Sequence, residues 1–85
     1  MRNISKAPKD LTRGRLKAII AEHGETQLEL ARAIGVKPQT LSMAINGRAN
    51  FAHATMLKIA KWYRLTPDEF MYVFFPEYIA ELYNE

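Results

Sequence analysis

Apolar residues recur at helical spacing in several short stretches, and residues that stop or start helices fill the gaps between them. Leu16, Ile19 and Ile20 make the first stripe. They predict a helix over about 10–23, capped by Asp10 or Thr12 and ended by Gly24, since glycine takes the left-handed conformation that closes a helix. Thr26 and Glu29 stand three apart, as in a capping box, where a hydroxyl and a carboxylate each accept a free N–H at the helix start. A second helix is therefore expected from Gln27, with Leu30, Ala31 and Ile34 on one face and Gly35 as its stop. Pro38 opens a third helix, because the first turn does not need its missing N–H. That helix is expected to end at Asn46-Gly47. Met56, Ile59, Ala60 and Tyr63 predict a fourth helix over about 52–63. Thr66-Pro67-Asp68-Glu69 is a second capping box and opens a fifth helix through about Phe74. Pro76 restarts the chain into a short last helix with Ile79, Leu82 and Tyr83 on one side. MYVFF is the only stretch with strand propensity. The pattern reads as all-α.

Composition narrows this further. A chain of 85 residues supports one small core. It has no cysteine, which rules out a disulfide framework and thiolate metal sites and fits a reducing cytosol, so a cytoplasmic location is expected. No apolar run reaches the roughly 20 residues of a membrane span, and MRNISKAPKDLTRGR lacks the apolar region of a secretory signal. Charge is divided unevenly. Residues 1–64 hold all twelve Lys and Arg and only four acids (Asp10, Glu22, Glu25, Glu29), a balance of +8; residues 65–85 hold five acids and no Lys or Arg, a balance of −5. A polyanion partner on one side is expected. Residues 1–9 lack apolar periodicity and read as a flexible basic arm, in which Arg2, Lys6 and Lys9 either follow phosphates or belong to a disordered tail.

The span from Gln27 to Gly47 carries the candidate chemistry. Two helices of about two turns are joined by about three residues around Gly35, with Ala31 one turn earlier leaving room for a close crossing. In the second of these helices Leu41, Ala44 and Ile45 form the core stripe. Gln39, Ser42, Met43 and Asn46 form the opposite face, which carries no formal charge. Short neutral side chains suit a major groove, where Gln can bond adenine and an apolar group can touch the thymine methyl. On the face pattern alone, the alternative is a solvated surface with no partner.

The run TQLELARAIGVKPQTLSMAINGRANF resembles the helix-turn-helix of phage-repressor-like regulators, the Cro and C1 type also called the XRE family. Gln27, Ala31, Gly35-Val36, Leu41 and Asn46-Gly47 carry the likeness, and TMLKIAKWYRLTPDEF continues it, so that it covers roughly 16–70. The end near Phe75-Pro76 is similar to small prophage-encoded regulators. The resemblance implies a lambda-repressor-like five-helix bundle over 10–75, with a C-terminal helical extension over 76–85. It implies double-stranded DNA as partner, with Lys37, Pro38, Gln39, Thr40, Ser42 and Met43 at the bases. Gln27, Asn46, Arg48 and Asn50 would meet phosphates; Arg15 and Lys17 are either further phosphate contacts or a solvated face. Three departures stand out. Lys37 occupies a capping position often held by Ser or Thr, Pro38 replaces a residue that in some relatives bonds a base, and Phe51 and Ala52 stand where many relatives have Pro and a capping Ser or Thr.

Eight of the nine aromatics lie between Trp62 and Tyr83. Phe70, Phe74, Phe75, Tyr78, Ile79 and Leu82 are more than one small bundle needs, and part of this set is expected to form a homodimer interface. No phosphate-binding glycine loop, zinc motif or nucleophile elbow occurs, and His23 and His53 are isolated. The expectation is a non-enzymatic, cofactor-free regulator with no small-molecule ligand, acting as a repressor on a palindromic operator. The alternatives are an antitoxin that regulates its own gene and an interaction module that does not read DNA.

Overall fold

The computed structural model describes the backbone of residues 6–83 and the side-chain surroundings of residues 14–79, 81 and 82. Six helices follow one another: α1 (Lys6–Glu22), α2 (Gln27–Ile34), α3 (Pro38–Ile45), α4 (His53–Tyr63), α5 (Pro67–Phe74) and α6 (Pro76–Tyr83). No strand occurs among the described residues, and MYVFF lies within α5 and the residue after it. The helical period of its neighbours Phe70, Val73 and Phe74 overrides its strand propensity.

The apolar stripes meet in one core. Leu16, Ile19 and Ile20 of α1 pack with Leu30 and Ala31 of α2, Leu41 and Ile45 of α3, Met56, Ile59 and Tyr63 of α4, and Val73 and Phe74 of α5. Each fully buried aliphatic side chain contributes about 1.5–3 kcal/mol of transfer free energy. No buried side-chain nitrogen or oxygen among the described residues lacks a hydrogen-bond partner. Helix α1 lies against α3, α5 and α6, while α2 lies against α3 and α4. The helix-turn-helix pair is thus held from behind by α1 and α4.

One boundary differs from the expected ones by four residues, a second by one, and the break between the last two helices falls where expected. Helix α1 begins at Lys6, four residues before Asp10, so it takes in the last part of the expected arm. Pro8 does not stop it, because it stands in the first turn, where N–H groups have no intrahelical partner. The rest of that arm, with Arg2, lies outside the described residues. Helix α4 begins at His53, with Ala52 in extended geometry at its cap and no side-chain hydrogen bond there. Between α5 and α6 the break is a single residue, Phe75 (φ −137°, ψ 50°). Pro76 explains it, since its ring disfavours helical geometry in the preceding residue and it has no N–H to continue α5.

Candidate nucleic-acid interface

The start of α2 is fixed by its capping box. Thr26 Oγ1 accepts the Glu29 N–H at 3.1 Å, and Glu29 Oε1 accepts the Thr26 N–H at 2.9 Å. The end of α2 is fixed by Gly35, whose φ of 75° lets the Val36 N–H return to the Ala31 carbonyl at 2.9 Å. Ala31 is fully buried, and α2 packs against α3. Three residues, Gly35 to Lys37, then suffice to redirect the chain into α3.

Helix α3 starts differently. Lys37 is extended at the cap (φ −62°, ψ 132°), and no side chain closes the first turn. Its carbonyl accepts the Leu41 N–H at 3.0 Å, so the helix begins on backbone bonding alone. Leu41, Ala44 and Ile45 face the core. Pro38, Gln39, Thr40, Met43 and Asn46 are exposed, and Met43 shows 40% of its surface. Ser42 is half-buried, and its Oγ accepts a 3.4 Å hydrogen bond from Asn46 Nδ2. The outer face therefore consists of Gln39, Thr40 and Met43, with Ser42 and Asn46 paired along its edge.

After α3 the chain turns at Gly47 (φ 79°), and the Arg48 N–H reaches the Met43 carbonyl at 2.8 Å. This turn projects Arg48 and Asn50, both exposed, beyond the end of α3. Gln27 is half-buried at the first position of α2. Arg15 and Lys17 flank buried Leu16 on α1 and are exposed. Among the described residues no three His, Asp or Glu side chains are grouped to hold a metal ion, and no helix is long and apolar enough to cross a membrane.

The sequence profile of the helix-turn-helix family, Cro and C1 type, matches residues 16–70. The chain belongs to this family. No curated protein and no solved structure matches it. The helix-turn-helix match runs from the buried Leu16 of α1 to Phe70 of α5 and so takes in nearly the whole core. It makes the chain a DNA-binding transcription regulator and not an enzyme.

The expected interface set at the C-terminal end divides in two. Phe74 is 7% exposed and belongs to the core, so it has no surface to offer a partner. Phe70 and Phe75 are half-buried against that core. Phe74 meets Phe51 edge-on at 5.3 Å and Phe70 at 5.0 Å. The physical reason is that Phe51 and the α5 aromatics together close the bundle at the turn between α3 and α4. Ile79 is half-buried, while Tyr78 and Leu82 are open to solvent at 53% and 69%. Beside the aromatics lies an open cleft of about 450 Å³, lined by Phe51, His53, Met56, Phe75 and Glu77 among others.

One cluster escaped the sequence reading. Glu25, in the turn between α1 and α2, accepts the Tyr63 hydroxyl at 2.6 Å and the Trp62 Nε1–H at 3.1 Å. The His23 ring lies 4.5 Å from that of Tyr63, and its Nδ1 is 2.9 Å from the Ile19 carbonyl. The two donors hold the Glu25 carboxyl below its ordinary range, the Tyr63 bond most and the Trp62 bond next. Burial, and then the hydrogen bond to Glu25, push the Tyr63 phenol well above its own. The partners lie 37 and 38 residues apart, so no local spacing could have revealed them. The only signals were two adjacent aromatics at the end of α4 and an acid next to Gly24.

Proposed function

We propose that this regulator is a repressor of the phage or prophage type that binds a two-fold operator as a homodimer, with α3 in the major groove. Gln39, Thr40 and Met43 meet base edges, joined by Ser42 and, at the start of the helix, by Lys37 and Pro38. Gln27, Asn46, Arg48 and Asn50 meet phosphates, and Arg15 and Lys17 extend that contact from α1. The observation that carries this reading is the outer face of α3. It is exposed, free of formal charge and not needed by the core. A helix that only had to be soluble would gain from Glu and Lys there, whereas a groove about 12 Å wide admits short neutral side chains and is read by them.

Phosphate contacts supply affinity and register, and base contacts supply choice of sequence. Selection of bound duplexes from random DNA tests the reading. The expected product is a pair of inverted half-sites with centres about 34 Å apart. Binding should weaken steeply as salt rises, with a log–log slope near −0.9 for each neutralised phosphate. A pool with no enriched sequence, or a flat salt dependence, would overturn it.

A further inference from the structure

Two solvent-facing stripes of this chain share a spacing and oppose each other in charge. On α4, Leu57, Lys58, Lys61 and Trp62 stand at i, i+1, i+4 and i+5, opposite the buried Met56, Ile59 and Tyr63. All four are exposed, Leu57 by 55% and Trp62 by 48%, and the helix contains no acid. On α6, Glu77, Tyr78, Glu81 and Leu82 repeat the same spacing. They too are exposed, Tyr78 by 53% and Leu82 by 69%, and this helix contains no Lys or Arg.

Neither stripe suits a copy of itself. Packing α6 against α6 of a second molecule brings four carboxylates into one contact, and packing α4 against α4 brings four ammonium groups. Like charges set together across an interface cost several kcal/mol and suppress that pairing. Packing α4 against α6 sets each cation beside an acid and lets four large apolar groups leave water together. We infer that α4 of one copy packs against α6 of a second copy, and that a two-fold axis makes the contact twice. Lys58 and Lys61 face the partner's acidic stripe, and Leu57 and Trp62 meet its apolar positions. A two-fold interface needs surfaces that complement each other across the axis, and these two stripes are complementary in charge. The inference rests on the homodimer reading above and names the surfaces that form it. The outer face of α3 takes no part and stays free for DNA.

Sedimentation of the full chain tests this through charge exchange. The Lys58→Glu, Lys61→Glu double variant should raise the dimer Kd by about tenfold or more, and so should Glu77→Lys with Glu81→Lys. All four substitutions together should return the Kd to within about threefold of the starting value, the signature of coupled pairs. Unaltered protein should dissociate more readily in about 1 M salt than in about 0.1 M salt. Every substituted position is exposed, and circular dichroism verifies the fold of each variant. A dimer indifferent to both double substitutions, or not rescued by the quadruple one, overturns the α4–α6 pairing and leaves the homodimer standing. A monomer at every concentration, still binding single half-sites, overturns both.

Discussion

Tyr63 donates its phenolic hydrogen to Glu25 Oε1 across 2.6 Å and so ties the end of α4 to the turn that precedes α2. This bond, with that from Trp62, lowers the Glu25 pKa in the folded protein. The sign follows from linkage: a depressed carboxyl contributes stability above its unfolded value, and that contribution is lost as pH falls through the folded value. Glu25 should therefore stabilise the fold fully above its ordinary value of 4.5 and cease to do so at lower pH. Trp62 is the only tryptophan, so its fluorescence reports the step. Tyr63→Phe should move the acid midpoint of that signal upward, toward 4.5. An unchanged midpoint would mean that the hydroxyl is not what holds the carboxylate.

The two helices of the reading motif differ in how they begin, and this difference is measurable. Thr26→Ala removes a side-chain cap and should lower stability by about 1 kcal/mol in urea denaturation. Lys37→Ser supplies a cap that α3 lacks and should raise stability by about 0.5–1 kcal/mol. If Lys37 also meets DNA, the same substitution should weaken operator binding while it strengthens the free protein. A substitution that moves both quantities in the same direction would separate Lys37 from the interface.

Gln39 and Arg48 should fail in different ways. Gln39→Ala should relax preference at one base position and cost about 1–3 kcal/mol on the best sequence. Arg48→Ala should weaken all sequences alike and reduce the salt slope by about one. Competition binding on single-base operator variants distinguishes the two outcomes. Retained specificity in Gln39→Ala would remove this residue from the reading face.

Backbone geometry supplies a further contrast. At Gly35 a methyl group would meet no atom within 4 Å, so Gly35→Ala should cost only the left-handed penalty of about 1–2 kcal/mol. Arg64 already bears such a penalty at the end of α4, with φ 55°. Arg64→Gly should therefore raise the melting temperature, by the few degrees that about 1 kcal/mol implies for a domain of this size.

Local signals made most of the fold legible. Both capping boxes, the Gly35 stop and the Pro38 and Pro67 starts each involve residues no more than four apart, and the structure holds them as expected. Core stripes such as Leu41, Ala44 and Ile45 were readable because the helical period places them together. The C-terminal aromatics were not sortable in this way. Whether Phe74 faces its own core or a partner depends on Phe51, more than twenty residues earlier, which meets it across the bundle. The edge of the candidate site was hidden for a similar reason. Spacing placed Ser42 on the reading face, but the burial and the Asn46 hydrogen bond that engage it depend on packing.

The tie between Glu25 and the end of α4 has a kinetic consequence. Caps such as Thr26–Glu29 close over three residues, whereas the Tyr63 contact requires a loop of 38 to be closed first. Loop-closure entropy sets long-range contacts behind local ones. On this ground the Tyr63–Glu25 contact is expected to form late, on the native side of the folding barrier. Substitutions at the tie should hasten unfolding and leave the refolding rate almost unchanged. With that outcome, Glu25 would govern how long the folded state persists more than how quickly it forms.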